Sequence, residues 1–145
     1  MMKKNLLVVL ACAALIPTLA QARDTVHFLD FNEVVQEATN AGRLDGSVKF
    51  YLGNTPRGAS ILRKGVTTSK KTNAFGKSDE AACSWVLQSA LIHLQNSAKA
   101  AGANAVVNLA SNYKNKEYKS TKDYECHAGA IMAGVALKGD YAQVR

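Results

Sequence analysis

Residues 76–109 carry the clearest structural pattern of the chain, and they read GKSDEAACSWVLQSALIHLQNSAKAAGANAVVNL. Ser78 is a typical N-cap residue, and the two acidic residues that follow it place negative charge at the positive end of a helix dipole. Gly102 predicts the end of the helix, and a strand is expected to begin at Ala105. We therefore expect one long helix that leads directly into a strand.

Small and apolar residues recur in this helix at spacings of three and four, which places them on one face directed at the core. Trp85 and Ile92 lie off that face. We expect them to pack against an N-terminal helix of the same chain, and contact with a second copy in a homo-oligomer is the alternative. The apolar face consists of Cys83, Leu87, Ala90, Leu91, Leu94, Ala98 and Ala101.

The tripeptide Gly76-Lys77-Ser78 also matches the end of a phosphate-binding loop. That motif requires a glycine five residues before Gly76, where this chain has Lys71. The helix-cap interpretation is therefore favoured over a nucleotide site. The acidic residues fall at predicted helix starts and turns, and no pair of carboxylates suggests acid/base work, so we expect no catalytic residues, no cofactor and no enzyme activity.

The N-terminus predicts an export signal. Two lysines precede an apolar run from Leu6 to Leu19, and Ala20-Gln21-Ala22 has the small-x-small form of a signal peptidase site. The run is too short for a comfortable membrane span. We expect a signal peptide over residues 1–22, cleaved after Ala22, a periplasmic location, and no transmembrane span after cleavage.

Cleavage leaves residues 23–145, which is enough chain for one small domain and too little for two. The alternative is a lipoprotein, because Val9-Leu10-Ala11-Cys12 resembles a lipoprotein box with Cys12 as the lipidated residue. In the favoured interpretation Cys12 leaves with the signal. Cys83 and Cys126 then remain, and two cysteines in an exported chain most simply form one disulfide.

The protein is basic. The formal net charge of +7 falls to +5 when Lys3 and Lys4 leave with the signal. A moderately basic surface favours contact with anionic partners, and export argues against nucleic acid as that partner. We expect an envelope protein or an anionic envelope component.

Strands dominate the rest of the chain. A short helix, capped by Asn32 and ended by Gly42, is expected near the N-terminus. Val48, Phe50 and Leu52 alternate with other residues in the second strand, which predicts that these three side chains point inward. Turn residues between the second and third strands predict that these two form an antiparallel hairpin. The strands predicted before the long helix span Thr25–Leu29, Val48–Leu52 and Ala59–Lys64, the last resuming over Val66–Thr68.

Two long strands are predicted after the helix, over Ala105–Tyr113 and Glu125–Lys138, with a polar loop over Asn115–Thr121 between them. One face of the last strand carries mostly alanine and glycine, which allows another element to approach closely. The fold class expected is α+β, with an antiparallel sheet of about four to five strands packed against one long helix and a short N-terminal helix.

Aromatic and basic residues alternate across the predicted last hairpin. Such interleaving suits an anionic glycan, a phospholipid headgroup or a nucleic acid strand, although tyrosines that pack across strands are the simpler explanation. The candidate binding residues are Tyr113, Lys114, Lys116, Tyr118, Lys119, Lys122 and Tyr124.

A metal site is the second candidate. Its ligands would be His127 with His27 or His93. Zinc sites usually show close ligand pairs such as C-x-x-C, and this chain has none. Cys126 and His127 are adjacent, and in a strand their side chains point to opposite faces. A metal-binding domain therefore stays an alternative to a binding module without metal.

The helix end and the strand that follows it, Ala98 to Leu109, resemble the YbjQ-type domain, and the chain is similar to the periplasmic part of the stress sensor RcsF. Its mature part also resembles small exported proteins labelled "excinuclease ATPase subunit", a label that this sequence does not support. The resemblance implies an α+β domain, a helix-to-strand disulfide between Cys83 and Cys126, and signalling through protein contacts. Further cysteines of the sensor are lacking here.

Overall fold

A computed structural model describes residues 23–145 of the chain. The predicted signal segment, with Cys12, lies outside the described residues. The described part forms an α+β fold, as expected, with two helices and a curled sheet. In chain order its elements are β1 (Thr25–Asp30), α1 (Phe31–Asn40), β2 (Lys49–Leu52), β3 (Ser60–Asn73), α2 (Asp79–Ala100), β4 (Ala105–Ser111), β5 (Asp123–Ala128) and β6 (Met132–Gln143).

Strand β6 organises the sheet. β3 pairs along one edge of β6, and the other edge is divided between β4 and β5. β1 then extends the sheet beyond β5, and β2 extends it beyond β4. The pairing of β2 with β4 is parallel, whereas the other pairs are antiparallel. The expectation of a purely antiparallel sheet is therefore wrong, and the described residues form six strands in a mixed sheet.

The predicted hairpin of β2 and β3 is also wrong. Gly53 donates its N–H to Leu109 O at 2.7 Å and Lys49 donates to Asn104 O at 3.0 Å, so that β2 follows β4. Apolar alternation specifies which strand face is buried and leaves the neighbouring strand open. Val48 and Leu52 are buried as predicted and Phe50 is partly buried against the core, but the strand beside them is β4 and not β3.

The single strand predicted over Glu125–Lys138 is two strands. Gly129 donates its N–H to Met132 O at 2.8 Å and closes a tight turn between β5 and β6. A Cβ on Gly129 would lie 2.7 Å from the Arg23 carbonyl oxygen, so the turn requires glycine. The run of small residues hides this turn, since glycine and alanine also fill β6 itself.

Helix α2 lies across one face of the sheet, and its predicted start and end are confirmed. The Ser78 side chain accepts a hydrogen bond from Ala81 N at 3.1 Å, and Gly102 has a φ of +76° just beyond the helix. The apolar face is buried from Cys83 to Ala98, whereas Ala101 is exposed at the C-cap. None of the helices within residues 23–145 is long and apolar enough to cross a membrane.

Helix α1 begins one residue after its cap, which is Asp30 and not Asn32 as expected. Asp30 Oδ1 accepts a hydrogen bond from Glu33 N at 3.0 Å. Of the two residues off the apolar face of α2, Ile92 packs against the core. Trp85 stays 45% exposed, and the Arg43 guanidinium lies 4.8 Å from the centre of its ring.

The predicted disulfide is present. It joins Cys83 of α2 to Cys126 of β5, and both residues are fully buried. The bond therefore ties the long helix to the sheet at the centre of the core, next to Leu87 and Tyr124, which belong to the same buried cluster.

Candidate functional site

The sheet has two different faces near β1 and β5. His27 pairs with Cys126, and their side chains face α2. The alternate positions form the outer face, which points away from α2 and where Val26 pairs with His127 and Phe28 with Glu125. Phe28 is 50% exposed, so the outer face presents uncovered apolar surface beside charged groups.

Residues 113–122, which we call the lysine segment, cross this outer face between β4 and β5. The segment returns past its own start, because Tyr118 and Ser111 exchange backbone hydrogen bonds of 2.8 and 3.0 Å. The Tyr118 ring packs on Phe28 with 4.7 Å between ring centres. The predicted last hairpin is therefore a loop folded over the sheet.

The start of the lysine segment packs on β5. The Tyr113 ring stacks on the His127 ring, with centres 3.5 Å apart and planes inclined by 14°. Gly134 lies beneath, where a Cβ would stand 4.0 Å from the Tyr113 ring. The Lys114 ammonium lies 5.7 Å from the centre of the same ring, a cation–π distance. Tyr113 thus serves as the anchor of the segment.

The backbone of the segment is held in an ordered turn. Lys114 and Asn115 have φ values of +53° and +60°, a left-handed conformation that costs a non-glycine residue about 1 kcal/mol. Hydrogen bonds compensate for it, because Asn112 N donates to Ala136 O at 2.8 Å and Lys116 N donates to Tyr113 O at 3.0 Å. The lysines therefore project from a fixed scaffold.

The charge of the lysine segment is strongly positive. Glu117 is its single acidic residue. Within residues 23–145 none of the segment's lysines forms an ion pair, so their charges are directed at solvent. The exposed lysines are Lys114, Lys116, Lys119 and Lys122.

Tyr124 differs from the other predicted binding residues. Its side chain is 1% exposed and belongs to the hydrophobic core. Burial raises the pKa of its phenol above the ordinary value, and the charges of Glu37 and Glu33 act in the same direction. Tyr124 therefore supports the core beneath α1, and its side chain does not reach the surface formed by the lysine segment.

His127 lies between two carboxylates beneath Tyr113. Its Nδ1 is 3.1 Å from Asp24 Oδ1. Its Nε2 is 3.4 Å from Glu125 Oε2, but the geometry there makes no hydrogen bond and the nitrogen is buried. The side chain is 13% exposed. His127 is thus held mainly by stacking and by Asp24.

A groove opens beside this stack. Its volume is about 440 Å³. Gly129 to Gly134, from the β5–β6 turn and the start of β6, line its apolar part, and Lys71 and Arg23 bring cations to it. Asp24 also lines the groove, and Arg23 is paired with Asp79, so the groove combines an aromatic wall with charges of both signs.

The three histidines considered as metal ligands are not brought together. His27 faces α2, where its Nε2 lies 2.8 Å from Asp79 Oδ2, whereas His127 lies on the outer face. His93 is exposed on α2. No group of three or more histidine, cysteine or acidic side chains within residues 23–145 is arranged to hold a metal ion.

Arg23, His27 and Asp79 form an ion-pair network that the sequence did not predict. Arg23 donates two hydrogen bonds to Asp79, at 2.7 and 2.8 Å, and His27 adds a third contact. The Arg23 hydrogen bond, followed by that of His27, holds the pKa of Asp79 well below its usual range. The partners are 56 and 52 residues apart, so no local pattern indicates them.

Comparisons of the chain with known protein families, with curated proteins and with solved structures found no match.

Proposed function

We propose that this protein is an exported, non-catalytic binding module of the periplasm, of the YbjQ-like and RcsF-like type. It binds an envelope protein or another envelope component that presents an anionic surface. The lysine segment is the binding site. The observation that carries this proposal is the set of four solvent-directed lysines on an ordered loop with one acidic residue among them.

The geometry supports binding more than catalysis. The outer face offers an aromatic stack and cations. Among the described residues, His127 Nε2 is the one buried side-chain nitrogen on this face that lacks a hydrogen bond. That nitrogen is covered by Tyr113 and cannot meet a substrate. The lysines contribute positive potential, and because the backbone that carries them is already ordered, little backbone entropy is lost when an anionic surface binds.

The disulfide supports the assignment to an oxidising compartment. Cys83 and Cys126 form a fully buried bond between helix and sheet, and such structural disulfides persist in exported proteins. Together with the predicted signal over residues 1–22, it favours the periplasm.

A charge-reversal variant tests the site. The variant replaces the four lysines of the segment with glutamate, at Lys114, Lys116, Lys119 and Lys122. The control replaces four exposed cations elsewhere with glutamate, at Lys49, Arg57, Lys64 and Arg145. Both variants alter the net charge equally. We expect the first to lose co-sedimentation with envelope fractions at low salt by at least about tenfold and the control to retain it.

Two results would count against the proposal. Equal loss in both variants would mean that net charge alone drives association. Unchanged co-sedimentation of the lysine-segment variant would place the binding surface elsewhere.

A further inference from the structure

Strand β3 has an edge that no other strand covers. β6 occupies one side of it along nearly its whole length. Within the described part of the chain, β3 has no second strand partner. In an antiparallel ladder alternate residues turn both backbone groups toward the same side, so a free edge presents a regular row of donors and acceptors.

The second half of β3 is regular enough to accept a further strand. Its register with β6 is unbroken over the eight positions Val66–Asn73. The irregularity of β3 is confined to the first half, between Ile61 and Val66, where Gly65 has a φ of +68° and donates its N–H to Asp140 Oδ1 at 2.9 Å. The edge is therefore regular at the end that adjoins the β5–β6 turn.

The charge of β3 is entirely positive. The strand contains Arg63, Lys64, Lys70 and Lys71 and no acidic residue. Its neighbour across the outer face is Lys114, which lines, with Thr67 to Ser69, a shallow cavity of about 330 Å³. An added strand thus meets the lysine side chains of β3, and the surface next to this strand is also basic.

We propose that the free edge of β3 over Val66–Asn73 binds an extended, acidic peptide segment of a partner protein by strand addition. Backbone hydrogen bonds of the edge hold the peptide, and Lys70 and Lys71 select glutamate or aspartate at adjacent positions on its two faces. This site is the backbone edge of β3, and among the lysines of the lysine segment only Lys114 lines the cavity beside it.

A second copy of the chain does not fit the same edge. Antiparallel pairing of two copies of Val66–Asn73 would set two segments of charge +2, from Lys70 and Lys71, beside each other without an acidic residue to offset them. Like charges directly opposite destabilise a ladder. The lysines that prevent self-association are the same groups that attract an acidic strand.

The test uses the oxidised protein, expressed with its own N-terminal segment, and a fluorescent peptide of valine and threonine that spans the eight positions and carries two adjacent glutamates near its centre, one for each face. Binding is measured by fluorescence anisotropy at low salt. Amide hydrogen exchange followed by NMR then locates the peptide. We expect slowed exchange at alternate amides of Val66–Asn73, which only strand addition produces.

Charge exchange supplies the second readout. We expect Lys70→Glu/Lys71→Glu to weaken binding of the glutamate peptide at least about tenfold and to strengthen binding of a matched peptide that has two lysines in place of the glutamates. Lys49→Glu/Arg57→Glu, of equal net charge, should bind as the wild type does. The proposal is overturned if the glutamate peptide does not bind, or if protection appears only in the lysine segment. Protection of the same amides without peptide, in a dimer, would overturn it as well.

Discussion

Removal of the disulfide is the perturbation whose size follows most directly from the structure. Cys83 and Cys126 are 43 residues apart in sequence, and both are fully buried. The chain-entropy relation for closing a loop of that length gives about 13 cal/mol/K, or about 4 kcal/mol at 25 °C. A net stability of about 5–15 kcal/mol is usual for domains, so the loss is a large part of it.

The variant is Cys83→Ala/Cys126→Ala, in which alanine fills both positions without a polar group. For the described domain we expect the unfolding midpoint to fall by about 15 °C, since unfolding entropy is about 2.1 cal/mol/K per residue. Urea denaturation followed by circular dichroism gives the free energy directly. The wild type measured with a reductant should approach the variant.

The reductant also supplies the control, because the variant has no disulfide among its described residues and should be insensitive to it. Equal midpoints for the oxidised and reduced wild type would refute the reasoning. So would a variant that unfolds like the oxidised wild type, since either result would mean that the bond does not constrain the unfolded chain.

Three further outcomes follow from other contacts. Gly53→Ala should lower the free energy of unfolding by about 2–5 kcal/mol, because the added Cβ would lie 2.4 Å from Ser120 O. Gly46 has a similar φ and open space around it, so Gly46→Ala should lower the free energy of unfolding by only about 1–2 kcal/mol. Urea denaturation of both variants measures the difference. Because the pKa of Asp79 is lowered in the folded protein, its ionised form stabilises the fold above about pH 4, and this contribution is lost as the pH falls further. In the same assay, Asp79→Asn should therefore reduce the free energy of unfolding more at about pH 6 than at about pH 2.5. Elemental analysis of the oxidised protein should find no stoichiometric zinc, because His27 and His127 lie on opposite faces of the sheet.

The long helix was predictable because its signals are local. Ser78 caps it, Gly102 ends it, and the buried face recurs at helical spacing. The disulfide was predictable by counting, since two cysteines remain when Cys12 is assigned to the signal. These features depend on neighbours in sequence or on chemistry that composition reveals.

Strand partners were not predictable to the same degree. The alternation in β2 correctly indicated that Val48 and Leu52 are buried, but it carried no information that β4 lies alongside in parallel. The turn at Gly129 was hidden because the strand that follows is equally rich in small residues. Its requirement for glycine arises from Arg23, more than 100 residues away.

The candidate site was predictable in its charges and not in its arrangement. The exposed lysines were identified from their spacing, whereas Tyr113 proved to be stacked on His127 and Tyr124 proved to be buried. Tyrosine is amphipathic, and sequence alone does not distinguish an anchor from a surface residue. Only the register of β1 and β5 shows which aromatic groups share the outer face.

Site-specific crosslinking tests the proposed binding site most directly. A photoreactive residue replaces Lys116 in the lysine segment, and a control replaces Asn96, which is exposed on α2. After irradiation of intact cells, we predict that an envelope component is captured at position 116 and not at position 96, and that the capture is lost when Lys114, Lys119 and Lys122 are changed to glutamate. Capture at position 96 alone, or capture at position 116 that survives the charge reversal, would contradict the proposal.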